Sequence, residues 1–107
     1  MKFADFVNTD AIRSELEAVD KEGLIREMTT ALLAAGQIAE EEFESIVKAI
    51  LKREELGSTG IGRGVAVPHT KHPSVGKLVG SVGVSNEGVD FNSLDGEKVQ
   101  LFFLLVV

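Results

Sequence analysis

The sequence predicts an α/β or α+β domain, with two helices first and several short strands after them. Helical periodicity dominates residues 20–56, where apolar side chains recur at steps of three and four. Glycine marks the change of pattern. Most of the 11 glycines lie after residue 56, and the short runs between them are rich in Val, Leu and Phe, as strands bounded by turns are. A chain of 107 residues, 44% hydrophobic and 26% charged, is long enough for one domain with a modest core.

Residues 1–18 are mixed. Phe3, Phe6 and Val7 are candidates to pack on the domain, and a short strand is expected near Glu17–Val19. Ile12, Leu16 and Val19 are spaced too irregularly to fix an element. Asp20 is placed as a helix N-cap. Leu24, Ile25, Met28, Leu32 and Ala35 then mark one helical face, and Gly36 stands where a left-handed C-terminal cap would sit. The second helix is the clearest element. Glu40, Glu41, Glu42 and Glu44 fill its first turns, where the helix dipole favours anions, and Lys48, Lys52 and Arg53 lie toward its C-terminal end. Phe43, Ile46, Val47, Ile50 and Leu51 form its apolar stripe, and Gly57 ends it.

Beyond Gly57, Val65–Val67, Leu78–Val84 and Val99–Val107 read as strands, with Val89 and Phe91 in a brief extended piece. Asn86-Glu87-Gly88 and Asp95-Gly96 read as turns. The continuous apolar run Leu101–Val107 has the pattern of a central strand covered on both faces. A chain that stops on such a run is expected to be one domain, residues 1–107, incomplete at its C-terminal end.

Composition removes several function classes. Without cysteine there are no disulfides, thiolate zinc sites or cysteine nucleophiles. A net charge of −6, a pI near 4.9 and the absence of Tyr and Trp argue against nucleic-acid partners. The first residues lack the apolar stretch of a signal peptide. The longest apolar run, seven residues, is too short to insert in a membrane. A cytoplasmic domain is expected.

One segment carries chemistry: Gly57-Ser58-Thr59-Gly60-Ile61-Gly62-Arg63-Gly64-Val65-Ala66-Val67-Pro68-His69. Four glycines in eight residues let backbone N–H groups come close to a ligand. It is not a P-loop, since no Gly-Lys-Ser/Thr follows and it leads into a strand. Nor is it a dinucleotide-binding turn, whose spacing and strand–helix order differ. His69 follows a short apolar strand and Pro68, at a strand end that can present a side chain rigidly. A neutral imidazole has a ring nitrogen free to attack phosphorus. Phosphoryl transfer to it needs in-line positioning and donors around three equatorial oxygens. The backbone at Gly60, Gly62 and Gly64, the hydroxyls of Ser58, Thr59 and Thr70, and a nearby arginine are the candidate donors. Taken singly, a histidine at a strand end or a glycine-rich turn is more often structural; their adjacency is the signal.

The stretch Leu51-Lys52-Arg53-Glu54-Glu55-Leu56 through His69-Thr70-Lys71 closely resembles the active-site signature of phosphotransferase-system IIA domains of the fructose/mannitol type, a class that includes the nitrogen-regulatory IIA proteins. Weaker similarity extends to the helix pair at 20–54, Gly88-Val89-Asp90-Phe91 and Leu94-Asp95-Gly96. The resemblance implies a three-layer α/β/α fold around a mixed sheet, with His69 as phosphoryl acceptor. It implies an HPr-like phosphocarrier as donor, a IIB domain or regulatory target protein as downstream partner, and no cofactor. Arg53 matches an arginine that the family places near its active site, where a guanidinium suits bidentate phosphate contacts. The structural alternative for Arg53 is a cation at a helix C-terminus, worth about 0.3–1 kcal/mol.

Family members continue past the last strand through further helices that carry a second active-site histidine. His72, beside Pro73 in an expected loop, does not match it. The sheet of this chain is therefore expected to be partly uncovered and the chain to self-associate. Between the two branches of the family, the Gly-Ser-Thr-Gly-Ile-Gly wording favours the nitrogen-regulatory type over a sugar-specific component. A non-catalytic protein-binding module on the same fold is the alternative of another class. His69 and His72 alone make a poor metal site. Ile61, Val65 and Val67 are candidates for an apolar docking rim, with Val65 and Val67 expected in the core.

Overall fold

The computed structural model describes residues 7–107. Phe3, Phe6 and the side chain of Val7, expected to pack on the domain, lie outside that description. The elements in chain order are β1 (Val7–Arg13), α1 (Lys21–Ala34), α2 (Phe43–Leu56), β2 (Gly60–Gly62), β3 (Val65–Ala66), β4 (His69–Thr70), β5 (Val79–Val89) and β6 (Val99–Val106). A 3-10 turn, Glu40–Glu42, leads into α2. The strands form one mixed sheet in the order β1-β5-β6-β3-β2, with β4 also paired to β6. β6 is thus central. It runs antiparallel to β5 and parallel to both β3 and β4.

The helices begin and end where their sequence signals stand. The Asp20 carboxylate accepts the Gly23 N–H at 2.7 Å, capping α1, and Gly36 follows at φ +74°. Leu24, Ile25, Met28 and Leu32 are fully buried. On α2, Ile46, Val47 and Ile50 are fully buried, and Phe43 and Leu51 are partly so.

Strand register shows which sheet face the helices cover. The Ser81 hydroxyl donates to the Met28 carbonyl of α1 at 3.4 Å, so the odd residues of β5 face α1. Val79, Ser81 and Gly83 pair with Val106, Leu104 and Phe102, and those β6 side chains are fully buried. Their neighbours Leu101, Phe103 and Leu105 point the other way and stay half-buried. Among the described residues no helix covers that second face. The apolar run 101–107 is therefore a central strand as its pattern predicts, but covered by helix on one face. The fold is α/β with a mixed sheet, and the described residues supply its sheet and one helical layer.

Three local expectations need correction. No strand forms at Glu17–Val19; the strand lies earlier, at β1. The 15–19 segment is instead pinned to α1 by Glu27, whose carboxylate accepts the N–H of Glu17 at 3.1 Å and of Ala18 at 2.9 Å. Asn86-Glu87-Gly88 is not a turn between strands. β5 continues through it with a shift of register between Val84 and Val89, and the Ser85 hydroxyl accepts the Gly88 N–H at 3.1 Å, as in a bulge. Finally, the glycine-rich segment contains a strand of its own, β2.

The two faces of β6 give adjacent leucines opposite weights. Leu104→Ala should lower unfolding free energy by about 2–5 kcal/mol in urea titrations, and Leu105→Ala by clearly less. Equal losses would contradict the one-sided burial.

Candidate phosphoryl-acceptor site

His69 begins β4, where it pairs with Leu105 of β6. Leu105 faces away from the helices, so His69 does too. Its ring lies exposed at an open apolar groove of about 360 Å3 lined by Val67, Thr70, Lys71, Leu78, Leu105 and Val107. The strand is held firmly. The Leu105 N–H donates to the Pro68 carbonyl at 3.0 Å, the Val107 N–H to the Thr70 carbonyl at 3.0 Å, and the His72 N–H to the Val107 carbonyl at 2.8 Å.

Nδ1 of His69 lies 2.7 Å from the Val67 carbonyl oxygen. A carbonyl only accepts, so Nδ1 carries the proton in this contact. In the neutral ring Nε2 then holds a free lone pair. The geometry leaves the outward nitrogen, Nε2, as the one available for chemistry.

The glycine segment is a hairpin. β2 and β3 are antiparallel, with Gly60 opposite Ala66 and Gly62 opposite Val65. The connection is Arg63-Gly64, at φ 58° and 78°. Two central residues at positive φ match the type I′ turn that follows strand twist. Gly60 meets a second constraint: a Cβ there would lie 2.9 Å from Cα of Ser93.

This arrangement changes the expected donor set. The Thr59 hydroxyl donates to the Glu54 carboxylate, and so does the Thr59 N–H at 3.2 Å. The Ser58 hydroxyl donates to the Phe91 carbonyl and accepts the Gly60 N–H at 3.0 Å. The Arg63 N–H goes to the Asp95 carboxylate at 2.9 Å. Ser58, Thr59 and Gly60 are thus committed to holding the hairpin in place and do not form an open anion cradle. Gly62 and Gly64 shape its turn. Thr70 differs: it lines the groove beside His69, and its hydroxyl makes only a 3.2 Å contact to the Lys71 carbonyl.

Arg53 sits on the last turn of α2, the helix that packs on β4. One of its N–H groups donates to the Gly57 carbonyl at 2.8 Å, which terminates the helix in the manner of a C-terminal cation. Among the described residues its other N–H groups make no hydrogen bond.

His72 has a different role from His69. It is 9% exposed. Its Nδ1 accepts the Ser74 N–H at 3.2 Å and lies 2.7 Å from the Ser74 hydroxyl; its Nε2 lies 2.7 Å from the Ser45 hydroxyl of α2. A ring nitrogen accepting an N–H is unprotonated, so Nε2–H donates to Ser45. His72 fastens the 71–78 loop to α2. Nothing in its spacing from His69 announced this.

Glu54 is the site residue that composition and motif reading passed over. It is 6% exposed at the end of α2. The signal was present: the buried series Ile46, Ile50 steps next to 54, where a carboxylate stands. Lys21, 3.0 Å away, neutralises it, while its Nζ lies 4.6 Å from the Phe91 ring centroid, within cation–π range.

The model of the family described as "Phosphoenolpyruvate-dependent sugar phosphotransferase system, EIIA 2" matches residues 5–107. The chain belongs to this family. It is 39% identical over 105 residues to the fructose-specific EIIABC component of Bacillus subtilis, covering 98% of this chain and 16% of that protein. It is 33% identical to the nitrogen regulatory protein of Bradyrhizobium diazoefficiens, covering 99% of this chain and 67% of the relative. The nitrogen regulatory protein IIA-Ntr of Neisseria meningitidis superposes with a TM-score of 0.86 at 31% identity, over 96% of this chain and 68% of that one. The mannitol IIA enzyme of Escherichia coli, solved in complex with phosphorylated IIB, gives 0.76 at 27% identity, over 92% and 67%. This chain spans a small part of the multidomain relative and about two thirds of the single-component ones. Fold and sequence thus agree in placing this chain in the IIA family.

Asp95 supplies a pH test of the hairpin. The N–H groups of Arg63 and Glu97 hold its carboxyl below the ordinary value of 3.8. With the folded value depressed, the contribution to stability is present above 3.8 and is lost as pH falls through the folded value. Asp95→Asn should therefore lower the urea midpoint at neutral pH, and its deficit should close in acid. A deficit unchanged down to about pH 2 would contradict the contact.

Proposed function

We propose that this IIA-type domain is a phosphocarrier that accepts a phosphoryl group on Nε2 of His69 from an HPr-like protein. The observation that carries the reading is the Val67 carbonyl at 2.7 Å from Nδ1, which leaves Nε2 unprotonated, exposed and backed by a rigid strand. In the transfer, the Nε2 lone pair attacks phosphorus in line as the P–N bond of the donor phosphohistidine breaks. The leaving nitrogen takes the bonding pair, and the proton stays on Nδ1, donated to the Val67 carbonyl. Thr70 and Arg53 are the side chains proposed to meet the equatorial oxygens, Arg53 with the N–H groups not committed to Gly57.

The nitrogen-regulatory role is the preferred branch, supported by the close superposition on the Neisseria IIA-Ntr protein. There the phosphoryl group would act as a switch, adding roughly two negative charges at an apolar groove of an acidic domain. The identity to the fructose-specific component favours a second reading, in which His69 passes phosphate to a IIB domain, the partner present in the mannitol complex. Acceptance of the phosphoryl group by a fructose- or mannitol-type IIB domain would favour this reading. Among the described residues no helix is long and apolar enough to cross a membrane, which agrees with a cytoplasmic site of action. Exposed Ile61 and Leu94 are proposed as the docking rim. Leu94 sits beside β2 through its N–H to the Gly60 carbonyl at 3.3 Å.

Incubation with a phosphorylated HPr-type donor should give acid-labile, base-stable label on the wild-type protein and none on His69→Ala. Arg53→Ala should slow labelling by about 10²-fold. Label that survives His69→Ala would overturn the assignment. The open apolar groove, with Leu105 half-buried and Val107 exposed, further leads us to expect that this 107-residue chain self-associates. Sedimentation should show Val107→Lys shifted toward monomer, and a wild-type monomer at high concentration would contradict it.

A further inference from the structure

Glu54 and His69 lie on different elements, but the structure joins them through a short relay of hydrogen bonds. The buried Glu54 carboxylate accepts the N–H and hydroxyl of Thr59, and Lys21 holds its other side at 3.0 Å. The Thr59 carbonyl in turn accepts the Val67 N–H at 3.1 Å. The carbonyl of that same Val67 lies at 2.7 Å from Nδ1 of His69. Every group in this relay is a backbone amide, a buried side chain or the imidazole itself, so a displacement at Glu54 reaches the ring with few soft torsions between.

We infer that Glu54 is a positioning residue for His69: its carboxylate fixes Thr59, and through the Val67 peptide it sets which imidazole nitrogen carries the proton. This rests on the reading of His69 as phosphoryl acceptor. The physical basis is that the tautomer of a histidine is decided by the partner of its other nitrogen, and that small misplacements of a reacting group cost large factors in rate. A carboxylate suits the task. It accepts both Thr59 donors at once, which the amide of Gln cannot do without turning its own NH2 toward one of them or toward Lys21. The neighbouring Glu55 is exposed and makes no such contact among the described residues.

The test combines ring nitrogen spectroscopy with phosphoryl transfer on the same proteins. Long-range 1H–15N spectra of the wild type should show His69 as the Nδ1–H tautomer. In Glu54→Gln a substantial Nε2–H population should appear, and transfer from an HPr-type donor should slow at least ~10-fold. Thr59→Val should behave likewise, Thr59→Ser should restore the wild-type tautomer, and Glu55→Gln should leave both readouts unchanged. If Glu54→Gln does not fold, Thr59→Val, nearly the same shape, decides in its place. A folded variant that keeps His69 in the Nδ1–H form and transfers at the wild-type rate overturns the inference. The tautomer readout needs no donor. A wild type that takes no label therefore counts against the phosphocarrier reading, while the spectra still decide the role of Glu54.

Discussion

One hydrogen bond, from Nδ1–H of His69 to the Val67 carbonyl, gives the exposed imidazole a chemical direction. A surface histidine free to rotate presents either nitrogen, in either tautomer. Here the acceptor is a backbone group two residues earlier, across Pro68, whose ring removes one backbone rotation from the link. The rest of the domain can be read as the support for that contact. β4 lies along β6, β6 is clamped between strands on both sides, and α1 and α2 bury the opposite face of the sheet.

The glycine-rich segment takes part as scaffold. Its amides and hydroxyls are used up in joining α2, the 91–97 loop and β3. Glycine is needed at Gly60 because Ser93 lies against it, and at Gly64 because the turn demands positive φ. A loop built this way is rigid before any ligand arrives, which is what positioning for phosphoryl transfer requires. Under the proposed function, donors for the phosphoryl oxygens would come from side chains at the groove and from the arginine at the end of α2.

The helices were legible in the sequence because their signals are local. Asp20 caps α1 through a contact three residues away, and the stripe of α2 is a property of spacing. β6 was legible from its apolar run, although the run alone could not show that only one face meets a helix. The misread parts depend on distant partners. Glu17–Val19 looked extended, but its N–H groups belong to Glu27. Asn86–Gly88 has turn composition, yet pairing with β6 resumes beyond it at Val89. At the site, His69 was visible from the motif, whereas the inward commitment of Ser58 and Thr59 and the buried Glu54–Lys21 pair arise from contacts up to 33 residues apart. Only the step from Ile46 and Ile50 to Glu54 hinted at a carboxylate on a buried face.

The most direct measurement is 31P–15N coupling in the phosphorylated protein, with the histidine ring nitrogens labelled. Phosphorus coupled to Nε2 of His69, with Nδ1 still protonated against the Val67 carbonyl, is the predicted result. Phosphorus on Nδ1 would contradict it, because that nitrogen could be reached only by breaking the hydrogen bond on which the geometry of the site depends.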